Sequence, residues 1–154
     1  MSRKSPKIAA LLAGLDSGGL SPNYAGYFAC FNCGLYFEAH DVLEELWLAE
    51  GRAGSNYAYH KGLIQLAGAF VHLQKNRTGP AIALFNLAET NLRQYSQLHE
   101  HLDLENVLQL IASWRGEIES ESPLRNPLGL RPDPKLHPQT PEIRHESTST
   151  VPPR

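Results

Sequence analysis

His40 and Glu44 come closer than any other residues of this sequence to a pair whose types and spacing could do chemistry. Four apart in a helical stretch, their side chains rise from the same side one turn from each other. An imidazole and a carboxylate so placed can converge on one divalent ion. At about 100° per residue, Leu35, Tyr36, Ala39, Val42, Leu43, Leu46 and Trp47 form the apolar face of that stretch, while Glu38, Asp41 and Glu45 point the other way. His40 and Glu44 fall between this face and Phe37 with Leu48, so hydrophobes flank them on both sides. A carboxylate in such a place must be paired, protonated or metal-bound, because isolating it in a low dielectric is costly. Two readings stay open: a hydrogen-bonded structural pair, and a metal site, which needs about three protein ligands.

A third ligand must come from another element. In the stretch 57–75, Lys61, Gln65, Gly68 and His72 share one face, with Asn76 just beyond, and the small residues Gly62, Gly68 and Ala69 allow a neighbouring helix to come close. His72 is the expected third ligand. Gln65, or Glu38 on the first stretch, is expected to orient water or substrate. The rival reading of this face is an exposed polar stripe. His60 is expected on a more solvent-facing side, His99-Glu100-His101 solvated at a helix end, and Cys30 and Cys33 as core thiols, since their C-x-x-C has no second pair. No glycine-rich phosphate loop, nucleophile elbow or zinc-protease helix signature occurs.

The elements that must position these residues are helices. Ser21-Pro22 supplies an N-cap and a first-turn proline for a helix over 22–33, and Gly34 ends it in the left-handed conformation. A second helix follows over 35–50, closed by Gly51 and Gly54, and a third over 57–75, closed by Asn76. Thr78 is read as the cap of a fourth that reaches about Leu98, and Asp103 as the cap of a fifth that ends near Glu119. From Ser120 onward the chain holds eight of its eleven prolines and few large apolar residues. Such a segment cannot offset its ordering entropy by burial. The expected fold is therefore all-α: a compact bundle of about five helices in antiparallel hairpins over 22–119, an arm over 1–21, and a disordered tail over 120–154. Two of the hairpins are weakly similar, 42 residues apart at Phe31 and Leu73, which is not the 34-residue tetratricopeptide period.

Composition narrows the partners. In 154 residues, 14 basic against 16 acidic side chains give no field to draw nucleic acid or anionic lipid. The partner is left as an unidentified small molecule or protein, and the oligomeric state is not read. Two cysteines suit a reducing cytoplasm. Arg3, Lys4 and Lys7 before Ile8 to Leu15 resemble the front of a signal peptide, but Asp16-Ser17-Gly18-Gly19 follows, so a loosely docked arm is expected. No run approaches the ~18 apolar residues of a membrane span.

The residues Phe31-Asn32-x-Gly34-x-Tyr36-Phe37-Glu38-Ala39-His40-Asp41-x-Leu43-Glu44-x-x-Trp47, followed by Lys61-Gly62-Leu63-Ile64-Gln65-Leu66-Ala67, resemble the domain of unknown function 309 family over roughly 24–95. That resemblance implies a compact helical bundle, sometimes labelled a predicted metal-dependent hydrolase without an established substrate. Its recurrent polar positions correspond to Glu38, His40, Glu44, Gln65 and His72, and not to Cys30, Cys33 or His60. The leading expectation is a hydrolase that holds a divalent metal on His40, Glu44 and His72. Its rival is a non-enzymatic interaction module in which hairpins present a groove and His40 and Glu44 form a buried structural pair.

Overall fold

The computed structural model describes residues 6–139. They form α1 (Pro6–Ala13), α2 (Pro22–Asn32), α3 (Tyr36–Glu50), α4 (Tyr57–Gln74), α5 (Thr78–Leu92), a two-residue hairpin of β1 (Leu98–His99) and β2 (Leu102–Asp103), and α6 (Leu104–Glu119). The all-α bundle expected from periodicity is present, with one further short helix in the arm. There Leu12 of α1 lies over Gly26 of α2.

Local signals account for most helix ends. Ser21 Oγ accepts from Tyr24 N at 3.2 Å, and Asp103 Oδ1 accepts from Glu105 N at 3.0 Å and Asn106 N at 3.4 Å, satisfying donors that a helix start leaves without partners. Gly34 (φ 76°) and Asn76 (φ 57°) are both left-handed. At the first, Leu35 N donates to Cys30 O and Gly34 N to Phe31 O; at the second, Arg77 N donates to His72 O and Asn76 N to Leu73 O. The same six-residue closure thus turns α2 into α3 and α4 into α5.

Two expected boundaries move. Arg77, not Thr78, occupies the cap of α5, and no side chain bonds there, because the turn after Asn76 already carries the chain into the helix. That helix stops at Leu92 rather than about Leu98. Tyr95 is drawn off to α4, where its hydroxyl accepts from Tyr59 N and donates to Ser55 O, both at 3.0 Å.

The core is aromatic at its centre. The ring of Phe70 on α4 meets Phe31 of α2, Tyr36 of α3, Phe85 of α5 and Trp114 of α6 at centroid distances of 4.9–5.6 Å. Beyond it, α4 packs most extensively on α5 and α3.

Residues 120–139 correct the expectation of a tail that starts at Ser120. They lie along the bundle, with Leu136 4% exposed and Pro127 and Pro134 buried. Arg131 stacks over Trp114 at 4.4 Å and reaches Glu117 at 2.8 Å. Asn32 exchanges two hydrogen bonds with the backbone of Leu136, at 2.7 and 2.8 Å. Side-chain amides supply the partners that a proline-rich backbone cannot find in a ladder, and this removes the penalty for docking it. The remainder of that expectation, 140–154, lies outside the described residues.

Close approach of α5 to α4 depends on Gly62, where a Cβ would stand 2.9 Å from Leu92 Cγ and 3.2 Å from Asn91 Cβ. Gly62→Ala gains up to about 1 kcal/mol of helix propensity but overpacks a fully buried leucine, which costs about 1 to 3 kcal/mol. The expected outcome is net destabilisation in urea unfolding. Unchanged or increased stability would show that the two helices can move apart freely.

Candidate functional site

Tyr36 packs on Phe70 and so sets the rotation of α3 about its axis, and one turn later His40 emerges at the seam with α4. Its ring lies parallel to that of Phe37, 6.0 Å away, and its Nδ1 is buried without a hydrogen bond. Among the described residues, one group of three side chains brings donor atoms within 4.8 Å of one another: His40, Asp41 and Glu44. The structure therefore adds Asp41, which the sequence places on the outward face with Glu38 and Glu45. Asp41 is only 8% exposed. Three residues before Glu44, it lies on the same side of the helix as that carboxylate. Glu44 is half-buried, and Phe37 and Leu48, expected to bracket it with apolar surface, are 59% and 58% exposed. Its carboxylate stands at the edge of the fold, where water reaches it, rather than in a closed apolar bracket.

Behind His40 opens a cavity of about 320 Å³ between α3, α4 and α5. Ile64, Val71 and Leu84 give it apolar walls, and His40, Gln65, His72 and Lys75 are polar groups on its lining. Gln65 Oε1 accepts from Asn91 Nδ2 at 2.8 Å, which leaves its amide nitrogen for the cavity. His72 carries a buried Nδ1 without a hydrogen bond. Burial holds its imidazole below the ordinary histidine range, and the cations of Arg77 and Lys75 add to the effect. His40, Gln65 and His72 thus meet in one cavity. Glu38 is not on its lining, and His72 is not in the cluster with Asp41 and Glu44.

The model of the domain of unknown function DUF309 matches residues 24–84, from α2 into α5, the segment that carries this corner and cavity. Over those residues the chain is similar to the DUF309 family. No curated protein and no solved structure matches the chain. No helix among the described residues is long and apolar enough to cross a membrane. Cys30 is buried and Cys33 exposed, with no disulfide between them.

A second polar cavity, of about 210 Å³, straddles the border of the DUF309 segment. Tyr24, Glu50, Asn56 and His60 come from within it, while Glu100 and His101 come from the hairpin turn beyond. Here the sequence misplaces His60. It is 3% exposed, and its Nδ1 faces Glu50 Oε1 at 3.0 Å. The signal was available, since His60 precedes Leu63, Ile64 and Ala67 by three, four and seven, all on the buried face of α4. His99 is not solvated either. Its ring lies 4.6 Å from Tyr59 and 4.5 Å from Tyr95, and its Nε2 is 2.7 Å from Asn56 Oδ1. The Tyr24 and Tyr59 hydroxyls share a 2.5 Å hydrogen bond, and Tyr24 donates to Glu100 O at 2.7 Å. Burial lifts both phenols well above the ordinary tyrosine range.

His60 supplies a pH prediction. Burial pushes its imidazole below the ordinary value, against the opposing pull of Glu50 and Glu100, and burial lowers His99 as well. The unfolded chain therefore takes up protons before the folded one as pH falls below about 6.5, and stability drops. The melting temperature is expected to fall between pH 7.5 and 5.5, and to fall less in His60→Gln. An equal fall in both proteins would mean that His60 is not held neutral.

Proposed function

We propose that this DUF309 domain is a metal-dependent hydrolase of small molecules, with the ion held by His40, Asp41 and Glu44 at the corner of α3 and the substrate in the adjoining cavity. The observation that carries the reading is that His40 belongs to both: its donor atom is within 4.8 Å of those of both carboxylates, and its ring lines the cavity. The donor set fits a divalent ion, one imidazole with two carboxylates, and the buried Nδ1 of His40 lacks any other partner. A bound ion would supply a water of lowered pKa and polarise the scissile oxygen. The chain's own residues do the rest. Gln65, oriented by Asn91, offers its amide nitrogen to the substrate, and His72, held neutral, can accept or return a proton. Ile64, Val71 and Leu84 exclude water from the apolar part of the ligand. Glu38 has no part in this reading. We place the protein in the cytoplasm, since two cysteines in a chain of 154 residues make no disulfide framework and suit a reducing medium.

One observation favours a docking module instead. Phe37 and Leu48 stand exposed on the same side of α3, as an apolar anchor for a partner segment would. The test separates the two. Protein purified without chelator is expected to carry close to one equivalent of a transition metal by elemental analysis. Added Mn²⁺ or Zn²⁺ is expected to raise the melting temperature of the stripped protein, and Asp41→Asn and Glu44→Gln to abolish both effects. Less than about a tenth of an equivalent, with no metal-induced rise in melting temperature, would sink the hydrolase reading and leave the docking surface.

A further inference from the structure

We propose that the substrate taken by the cavity behind His40 is a straight-chain aliphatic carboxylate, its carboxylate anchored by Lys75 and its scissile bond at the opposite end of the chain. As a statement about the substrate this rests on the hydrolase reading; as a statement about what the cavity binds it stands on the lining. Ile64, Val71, Leu84 and the ring of Phe37 make the walls apolar, so the body of the ligand is apolar too. No aspartate or glutamate lines the cavity, and Lys75 does. Among the described residues Lys75 makes no ion pair, so three ammonium donors stand without an anionic partner at the end of an apolar trough. That charge selects an anion. Gly68 is a second sign, independent of charge. At Gly62 the space of the missing side chain is taken up by Leu92 and Asn91, whereas a Cβ on Gly68 would meet Leu84 Cδ1 alone, at 3.0 Å. The rest of that gap is cavity, in the middle of the trough.

Helix register gives the ligand its length. The ring pairs of Tyr36 with Phe70 and of Trp47 with Tyr57 hold α3 and α4 antiparallel, so His40, one turn past Tyr36, falls beside Gln65. Lys75 lies ten residues beyond Gln65, about 15 Å of helix rise, and helical side chains lean toward the N-terminus, which shortens the span. Between the two ends the lining is Ile64, Gly68, Val71 and Leu84. An extended chain of medium length suits this spacing; a sugar or nucleotide would bury polar groups against those walls without partners. The ammonium also helps to depress the His72 imidazole, in keeping with its place over the cavity. One cation at the C-terminal end of α4, where the helix dipole is negative, neutralises one charge, so a phosphomonoester dianion fits less well. Hydrolysis of an ester or amide bond beside His40 consumes one water, whose hydroxyl joins the acyl carbon and whose proton goes to the departing oxygen or nitrogen.

The experiment is titration calorimetry of the full chain with sodium octanoate, with octanamide as the uncharged control and butanoate as the short one. Octanoate is expected to bind with Kd below about 1 mM and each control at least about tenfold more weakly. Lys75→Met is expected to weaken octanoate about tenfold, to the level of octanamide, and Gly68→Leu to fill the trough and abolish binding. Lys75 is exposed, so Lys75→Met keeps the fold and decides alone should Gly68→Leu melt early. Asp41→Asn is expected to leave octanoate unchanged. The proposal is overturned if the native chain binds no octanoate, if octanamide or butanoate binds equally well, if Lys75→Met binds octanoate undiminished, or if Asp41→Asn loses it, which would put the carboxylate on the ion. Lys75→Met is expected to carry as much metal as the native chain. The metal reading therefore fails on metal content with octanoate still bound, and this one fails on octanoate affinity with the metal still bound.

Discussion

The ring of Phe70 is the contact on which the rest of the bundle depends. It sits on α4 and touches one aromatic ring from each of α2, α3, α5 and α6, so a single side chain sets the spacing of five helices. Edge-to-face pairs of this kind add about 0.5 to 1.5 kcal/mol each beyond the area they bury. They also give direction. Tyr36 lies nearly parallel to Phe70, at 28°, and this fixes which side of α3 faces α4. The burial that fixes Tyr36 also lifts its hydroxyl well above the ordinary tyrosine range and leaves it without a hydrogen bond. His40 follows four residues later and comes out against Gln65 and His72 of α4. The candidate chemistry is thus positioned by the core, not by loops.

The two hairpins divide the labour. The first, α2 with α3, carries the cluster of His40, Asp41 and Glu44, and the second, α4 with α5, supplies most of the cavity wall. Their turns close by the same hydrogen-bond pattern at Gly34 and Asn76, and Gln74 Nε2 ties one to the other by donating to Gly34 O at 3.0 Å. Residues 120–139 then latch both. Asn126 donates to Leu73 O at 2.7 Å beside the second turn, and Lys135 to Asn32 O at 2.7 Å beside the first. Farther along, Gln139 N donates to His101 O at 2.8 Å. One extended segment thereby joins both hairpin turns to the rim of the second cavity.

Much of the fold was legible because its signals are local. Ser21-Pro22, Gly34, Asn76 and Asp103 act within six residues of themselves, and the spacing of Tyr36, Ala39 and Leu43 already gives the buried face of α3. His40 and Glu44 were legible for the same reason. What escaped depends on distant partners. The burial of Pro134 and Leu136 rests on Asn32, more than a hundred residues away, and the end of α5 rests on Tyr95 reaching back to Ser55. His60 had a local signal in its spacing to Leu63 and Ala67, but its meaning came only when Glu50 and the turn at Glu100 closed over it. Asp41 was misplaced because a helical wheel assigns faces and not the width of the arc that neighbouring elements cover.

The central claim is that α3 offers one ion three ligands, His40, Asp41 and Glu44. Anomalous diffraction from crystals of the full chain soaked in Mn²⁺ tests it most directly. The expected result is one strong peak bonded to all three side chains, at the mouth of the cavity that His72 and Gln65 line. No peak at the corner of α3, or an ion held by His40 and His72 without either carboxylate, would contradict it.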